Sequence, residues 1–431
     1  MTRLNIHILW VVFLISAACY YKTVRDPYSR SFLFALDTIH ERGLKPIDRD
    51  TLFSAAMSGM AQTHDSYSTF ISQSESERFL QVLDQRLSGI GVGVEKDSSS
   101  GEILVVNTMI GVPHPAYDAG MRTDDKIVSV AGEAVAGKSL SEITSLIRGE
   151  RNTPISITVI HEGEKEPETL KIMRRDIAID SVLGDVHKTD GSWNYTLASN
   201  PHIAYFQITD FGDRTEKELS EALTMLQTTG TVAGAIVDVR DNAGGYLSAA
   251  TGVCDLFLND GTIVTTHGRG GQFQESYSAT RDGTHEGFPL VVLINDQSAS
   301  ASEIFAACMQ DHARATIVGM QSYGKGSVQT MIPFADGGLL KLTTATYHRP
   351  SGKNIDRQRG STEKEDWGVH PTEGMEVTMT KEAQKVRRTA RAKRNAFRPE
   401  ANDEKPQTAP EVDDPQLKKA IEHLREILGA T

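Results

Sequence analysis

The 431-residue chain is poor in cysteine and has no excess of positive charge. Three cysteines cannot form a disulfide framework, and we interpret Cys254 and Cys308 as small buried residues. The formal net charge of −12 disfavours broad nucleic-acid binding, which needs a basic surface. An HExxH pattern is absent, which disfavours a zinc protease. The hydrophobic fraction of 39% and the charged fraction of 24% are ordinary, so extended disorder and a multispanning membrane protein are also disfavoured.

Residues 4–21, near the N-terminus, are mostly apolar, and we interpret them as a targeting element. Their length is near the lower limit for a membrane-spanning helix. Ser16-Ala17-Ala18 also resembles the small-residue site at which a secretory signal is cleaved. Residues 1–26 are therefore expected to be either a membrane anchor or a cleaved signal, and both predict that the rest of the chain is exported.

The length predicts two to four domains at about 100–200 residues each. Apolar residues at helical spacing predict helices over residues 27–83, with no strand between them. Residues 84–178 combine short strands with one helix. Residues 179–380 alternate strands with helices, which predicts an α/β layered domain. Residues 381–431 contain a basic run, an acidic proline-rich linker and a terminal amphipathic helix.

Two local patterns in these regions carry expectations of their own. Ser139 and Glu142 form a capping box, which predicts that a helix begins there. The basic run of residues 381–398 is interpreted as a solvated helix, in preference to a site for an anionic partner.

The segment Pro289–Gln329 is the richest in chemical features. A buried strand, Leu290–Ile294, runs into a turn of small residues and then into a helix. Ser300 lies in that turn, at the sheet edge where α/β proteins place ligands. The helix N-terminus behind it favours negative charge, as on a tetrahedral oxyanion. Because Ser300 and Glu303 also match a capping box, the turn alone favours an ordinary helix cap.

A lysine between two glycines, Lys325, favours a catalytic role for Ser300 over that of an ordinary helix cap. A serine nucleophile needs a base, and Lys325 follows Ser300 by one helix and one strand. A solvated lysine has a pKa near ~10.4 and is a poor base, whereas burial can lower the pKa by up to ~3–5 units. Lys325 therefore fits a base only if it is buried beside Ser300. Gln329, four residues further on, lies on the same face and could orient the amine.

The turn Asn242-Ala243-Gly244-Gly245 follows a third strand and exposes backbone N–H groups, which can stabilise an oxyanion. Together the three segments supply a nucleophile, a base and an oxyanion site. The histidines of this region show no characteristic spacing, and we interpret them as surface or structural residues; they are His267, His285, His312, His348 and His370.

Three sequence blocks, SASASE at 298–303, GKGSVQ at 324–329 and DVRDNAGG at 238–245, together resemble the carboxy-terminal processing proteases, also called tail-specific proteases. The resemblance extends over residues 27–380. It implies a serine peptidase with a Ser–Lys dyad and with neither a cofactor nor a metal.

Carried onto this chain, the resemblance makes Ser300 the nucleophile and Lys325 the general base. Gln329 becomes the residue that positions Lys325. The backbone N–H groups of Gly244 and Ala301 become the oxyanion donors.

The resemblance also covers the middle of the chain. Gly89-Ile90-Gly91-Val92 resembles the carboxylate-binding loop of a PDZ domain, in which backbone amides capture a terminal carboxylate. The expected architecture is a multidomain α+β and α/β chain. It has a helical N-terminal region, a PDZ domain over 84–178 and a crotonase-like (ClpP-like) α/β peptidase domain over 179–380.

The function that this resemblance implies is that of an exported, membrane-tethered endopeptidase. Its PDZ domain would bind the C-terminal end of protein substrates, and Ser300 would cut peptide bonds through an acyl-enzyme. The expected location is extracytoplasmic and periplasm-like. The chain is further expected to form a homodimer or to bind an adaptor protein. Two alternatives stay open: a non-catalytic PDZ adaptor with a degenerate peptidase domain, and a crotonase-like protein that binds an acyl ligand.

Overall fold

The computed structural model describes most of the chain, namely residues 7, 10–16, 27–97, 99–108, 113–188, 190–230, 232–280, 282–357, 366–396 and 413–429. Much of the predicted targeting segment 4–21 and of the acidic linker lies outside the described residues. Within the described ranges, no helix is long and apolar enough to cross a membrane. The chain divides into two compact units, residues 1–77 with 329–343 and residues 78–328 with 344–431.

The first unit is mainly helical. Its elements are α1 (Pro27–Arg42), α2 (Arg49–His64), β1 (Thr69–Ile71) and the start of α3 (Gln73–Leu83). Asp48 caps α2, since its carboxylate accepts the Thr51 N–H at 2.8 Å. The strand β1 corrects the expectation of helices without a strand. Three residues are too few to show a periodicity, and β1 forms by antiparallel pairing with the distant residues Leu339–Lys341.

A small, mostly β domain follows in the second unit. Its strands and helices are β2 (Arg86–Gly89), β3 (Gly93–Lys96), β4 (Ile103–Asn107), α4 (Pro115–Asp118), β5 (Lys126–Val130), β6 (Glu133–Ala134), α5 (Leu140–Ile147), β7 (Pro154–Ile160), β8 (Glu168–Met173) and β9 (Arg175–Ala178). The main sheet has the order β3-β4-β5-β7-β8, which leaves β3 at one edge. The predicted capping box is confirmed: Ser139 and Glu142 each accept the other's backbone N–H at the start of α5.

The α/β domain comprises the remaining elements of the second unit. The first of these are β10 (Val182–Leu183), β11 (Val186–His187), β12 (Trp193–Asn194), β13 (Thr196–Leu197), β14 (Asn200–Ile208), α6 (Thr215–Thr229), β15 (Gly234–Asp238), α7 (Leu247–Asp255), β16 (Thr262–His267) and β17 (Phe273–Ser278). Then follow β18 (Leu290–Ile294), α8 (Ala301–Asp311), β19 (Ala315–Gly319), β20 (Ser327–Pro333), β21 (Leu339–His348), α9 (Lys381–Asn395) and α10 (Pro415–Gly429). The strands β20 and β21 contribute residues to both units.

The central sheet of this domain has the order β10-β14-β15-β18-β19, and its last four strands are parallel. Every residue of β15 and β18 is buried, as expected for parallel strands covered on both faces. Helices α6, α7 and α8 pack on one face, and there Cys254 and Cys308 are buried as predicted. On the other face α10 inserts Ala420 and Leu424. The carboxyl ends of β14, β15 and β18 therefore meet at one edge of the sheet.

The interpretation of the basic run as a solvated helix was wrong for one face of α9. Arg387 and Arg391 are buried and form ion pairs with Asp241 and Asp185, and Arg394 also pairs with Asp185. These arginines recur every three or four residues, so they share one face of the helix. Their acceptors are distant in sequence, and for that reason the charge pattern alone did not reveal them.

Candidate active site

Ser300 lies between β18 and α8 in an unusual backbone conformation, with φ at +56° and ψ at −114°. A non-glycine residue in such a region stores about 1–3 kcal/mol of strain. A strained residue at a strand–turn–helix junction is the arrangement that exposes a nucleophilic hydroxyl at a sheet edge. Ser300 also acts as a helix cap in part: the Glu303 carboxylate accepts the Ser300 backbone N–H at 2.8 Å, which is one of the two hydrogen bonds of a capping box.

The Glu303 carboxylate is a fully buried acceptor for four donors. Besides the Ser300 N–H, it accepts the Lys325 N–H at 2.8 Å, the Gly324 N–H at 2.6 Å and the Ser322 hydroxyl at 2.5 Å. Burial raises the pKa of Glu303, while these hydrogen bonds oppose the rise. One carboxylate thereby connects the turn that holds Ser300 to the turn that holds Lys325.

Tyr347, at the end of β21, connects the same two residues through their carbonyls. Its buried hydroxyl lies 3.1 Å from the Ser300 carbonyl oxygen and makes a shorter contact with that of Lys325. Its N–H donates to the Gly326 carbonyl at 2.9 Å. The backbones of Ser300 and Lys325 are thus held through both their N–H groups, by Glu303, and their carbonyl groups, by Tyr347. The sequence offered a signal for Glu303, its capping-box spacing, and none for Tyr347.

The predicted oxyanion loop lies directly beside Ser300. Gly244 has φ at +113°, and a Cβ added to it would be 2.8 Å from Ser300 Cβ, so a side chain does not fit there. The Gly244 N–H donates to Asn242 Oδ1 at 2.8 Å. It is available to an oxyanion only after Asn242 releases it. Ala301 is the first residue of α8, where N–H groups lack an intrahelical carbonyl.

The predicted roles of the Lys325 side chain as the base and of the Gln329 side chain as the residue that positions it stay predictions. Lys325 is half-buried, and its backbone is fixed as described above. Gln329 belongs to β20 and to the first unit, where its Nε2 lies 3.4 Å from Thr343 Oγ1. A hydrogen bond from Gln329 to the Lys325 amine, and the contact of that amine with Ser300 Oγ, stay predictions.

The glycine loop of the middle domain borders a surface groove. Residues 89–92 form one wall with Val94 of the edge strand β3, and Thr144, Ile147 and Arg148 line it from the side of α5. An open strand edge facing a helix is the geometry in which an extended peptide adds to a sheet. The four loop residues predicted to bind a carboxylate, Gly89, Ile90, Gly91 and Val92, therefore lie at one groove.

The histidines of the α/β domain make structural contacts. His267 and His348 stack with ring centroids 4.2 Å apart, and His312 Nε2 lies 2.8 Å from the Thr262 carbonyl oxygen. Among the described residues, no group of three or more metal-ligating side chains is found.

A carboxyl group lies beside the oxyanion loop. Asp210 follows β14, and a Cβ added to Gly245 would be 2.8 Å from its Oδ1. Burial raises the pKa of Asp210 to about 6. The group therefore changes charge near neutral pH, at the sheet edge that holds Ser300.

Comparisons with known proteins agree with this architecture. The chain matches the model of peptidase family S41 over residues 202–373 and a PDZ domain over residues 114–160. It is 35% identical to the carboxy-terminal-processing protease of Bartonella bacilliformis over 311 residues, which are 72% of this chain and 68% of that protein. It is 29% identical to the carboxy-terminal processing protease CtpB of Bacillus subtilis over 341 residues, 78% of this chain and 66% of that one.

A solved structure from Bacteroides fragilis, assigned to the S41 proteases, shares the fold. It covers 92% of this chain and 97% of its own, with a TM-score of 0.50 and 14% identity. The fold and the family matches together define a PDZ-containing serine peptidase. The predicted mixture of helices and sheets is confirmed by the observed elements. The chain belongs to the carboxy-terminal processing proteases of peptidase family S41, as its three sequence blocks predicted. The crotonase-like detail stays a prediction.

Glu303→Gln is expected to lower both stability and activity. An amide NH₂ in place of one carboxylate oxygen faces N–H donors, and each buried donor left unpaired costs about 1–3 kcal/mol. Chemical denaturation and peptidase assays of the full chain measure the two effects. Ser322→Ala is the matched control: it removes one of the four donors and leaves only the Val369 N–H without its acceptor, whereas each carboxylate oxygen of Glu303 accepts two donors, so it should cost less. Equal losses in the two variants would contradict the role given to the carboxylate.

Asp210→Asn is expected to stabilise the protein at high pH only. Because the folded-state pKa of about 6 lies above the ordinary 3.8, the folded state binds more protons between pH 4 and pH 6. The free energy of unfolding of the parent chain therefore falls as the pH rises through that window. The variant should gain up to about 2–3 kcal/mol at pH 8 and nothing at pH 4.

The measurement is urea unfolding of both proteins at the two pH values. The exposed Asp213→Asn is the control and should show no such difference. A gain for Asp210→Asn that is the same at pH 4 and pH 8 would rule out titration of Asp210 as its cause.

Proposed function

We propose that this chain is an exported endopeptidase that cuts protein substrates by a Ser300–Lys325 dyad and binds their C-terminal ends through its PDZ domain. One observation carries the proposal. The Glu303 carboxylate and the Tyr347 hydroxyl hold the backbones of Ser300 and Lys325 together at the edge of the sheet. Such fixed geometry is what a nucleophile and its base require.

In the proposed mechanism, Ser300 Oγ attacks the carbonyl carbon of the scissile bond while the neutral Lys325 amine takes its proton. Collapse of the tetrahedral intermediate breaks the C–N bond, and the leaving amine receives that proton from Lys325. The acyl-enzyme ester is then hydrolysed by water, with Lys325 again acting as the base. Gln329 would orient the amine of Lys325 throughout.

The oxyanion is proposed to bind the N–H groups of Ala301 and Gly244. The helix N-terminus at Ala301 favours negative charge at that point. Because the Gly244 N–H donates to Asn242 Oδ1 in the absence of substrate, the substrate oxygen would replace Asn242 Oδ1 as its acceptor.

Substrate capture is proposed to use the groove of the PDZ domain. The peptide would add as a strand to β3, with its terminal carboxylate on the N–H groups of residues 89–92. Arg148 lines the same groove and adds positive charge for that carboxylate. The names of the related proteins, carboxy-terminal processing proteases, support this choice of substrate end.

The experiment compares the parent chain with Ser300→Ala and Lys325→Ala, on one quenched fluorescent peptide with either a free or an amidated C-terminus. Each variant should lose at least about 10³-fold in kcat, since members of one dyad act as a unit. Amidation should raise KM at least tenfold and leave kcat unchanged. The exposed Lys353→Ala and Ser278→Ala are matched controls and should keep full activity.

Cleavage that survives Ser300→Ala would refute the mechanism. Peptide binding without any cleavage by the parent chain would instead support the adaptor alternative. Equal KM values for the free and the amidated peptide would refute capture by the C-terminal carboxylate.

Export is proposed to depend on residues 4–21, as a membrane anchor or as a cleaved signal. The support is the apolar character of this segment and the cleavage-like Ser16-Ala17-Ala18. Deletion of residues 4–21 should retain the chain in the cytoplasm, as measured by cell fractionation. Unchanged export of the deleted chain would contradict the proposal.

A further inference from the structure

The basic helix α9 makes buried contacts with the loop that precedes Gly244. Arg387 is only 3% exposed, and its guanidinium forms a short ion pair with Asp241. One turn earlier, Gln384 Oε1 lies 3.4 Å from Asn295 Nδ2. Helix α9 therefore contacts the first residue after β18 as well as the loop after β15.

Asp241 and Asn295 join these two loops to each other. The Asp241 N–H donates to Asn295 Oδ1, and Asn295 Nδ2 donates back to Asp241 Oδ1, both at 2.9 Å. Asp241 has φ at +60°, in the left-handed region that aspartate adopts more readily than most other side chains. Arg387 occupies the remaining oxygen of this carboxylate.

The path from this junction to the reacting groups is short. The Asn242 carbonyl, next to Asp241, accepts the Ala299 N–H at 3.0 Å and the Ser302 hydroxyl at 2.9 Å. These two donors flank Ser300 on either side. The side chain of Asn242 in turn accepts the Gly244 N–H. A displacement of Asp241 would therefore move the oxyanion loop and the nucleophile turn relative to each other.

Stability alone does not account for Arg387. A buried ion pair is weak evidence for stability, because desolvation of the two charges offsets much of their attraction. Arg387 Nε is buried without a hydrogen-bond partner among the described residues, which adds to that cost. The pair does, however, define where the Asp241 carboxylate lies, because the guanidinium is itself held on a helix.

We infer that Arg387 is a positioning residue of the active site, acting through Asp241 on the alignment of Gly244 and Ser300. This inference rests on the proposed function of Ser300. The other ion-paired arginines of α9, of which Arg391 is buried, differ in this respect. Arg391 and Arg394 bind Asp185, and Arg391 also binds the Gly184 carbonyl, away from both loops.

The test measures kcat, KM and unfolding for Arg387→Gln, Asp241→Asn and the double variant, with the peptide assay on the full chain. A loss of alignment should lower kcat at least tenfold in each single variant and change KM less than threefold, because small misplacements slow chemistry steeply. The double variant should lose no more than either single one, since both act through one contact.

Two comparators separate positioning from folding. Arg391→Gln removes a buried arginine from the same helix and should lower the melting temperature while kcat stays within twofold. The exposed Lys385→Gln should change neither quantity. If Arg387→Gln does not fold, Arg387→Lys and Asp241→Asn carry the test, and both should lower kcat.

The outcomes distinguish this inference from the proposed function. An unchanged kcat in Arg387→Gln or Asp241→Asn would overturn the inference while leaving the dyad intact. An equal kcat loss in Arg391→Gln, or multiplied losses in the double variant, would also overturn it. If Ser300→Ala is as active as the parent chain, the proposed function itself fails.

Discussion

The arrangement of the site depends on a single buried carboxylate, that of Glu303. It is the common acceptor for donors from two turns that are separated by a helix and a strand. Helix α8 supplies the carboxylate one turn after Ser300, so the nucleophile and its anchor belong to the same rigid element. This acceptor and Tyr347 both bind the backbone of the Lys325 turn, and Asp356 and Arg357 bind the glycines on either side of Lys325.

A buried carboxylate suits this task because it offers several lone pairs and needs several donors. Burial without them would be costly, and four hydrogen bonds compensate for that cost. Any shift of the Lys325 turn would leave at least two donors and one acceptor unsatisfied. The strained conformation of Ser300 is held by the same contacts, since its N–H is one of the four donors.

Local patterns predicted the parts of the site that lie close together in sequence. The strand, the turn of small residues and the helix around Ser300 follow from short-range periodicity and capping. The contacts of Tyr347 and Arg387 could not be predicted in this way, because their partners are distant in the chain: Ser300 lies 47 residues from Tyr347, and Asp241 lies 146 residues from Arg387. The same reason applies to β1, whose three residues form a strand only through pairing with β21. The engagement of the Gly244 N–H by Asn242 is a detail of side-chain geometry that spacing does not encode.

The C-terminal region belongs to the α/β domain as much as the sheet does. Helix α10 covers one face of the sheet, and Asp414 just before it pairs with the buried Arg240, which lies two residues after the end of β15. Helix α9 contacts the loop that follows Arg240. A charge pattern that suggested a solvated extension therefore corresponds to elements that fix the edge of the sheet where Ser300 lies.

The most direct test of the account is intact-mass spectrometry of the full chain, quenched during turnover of a slowly hydrolysed ester substrate. The account predicts an added mass equal to the acyl group, located on the peptide that contains Ser300 and absent from Ser300→Ala. An adduct on another residue, or one that persists in Ser300→Ala, would contradict it.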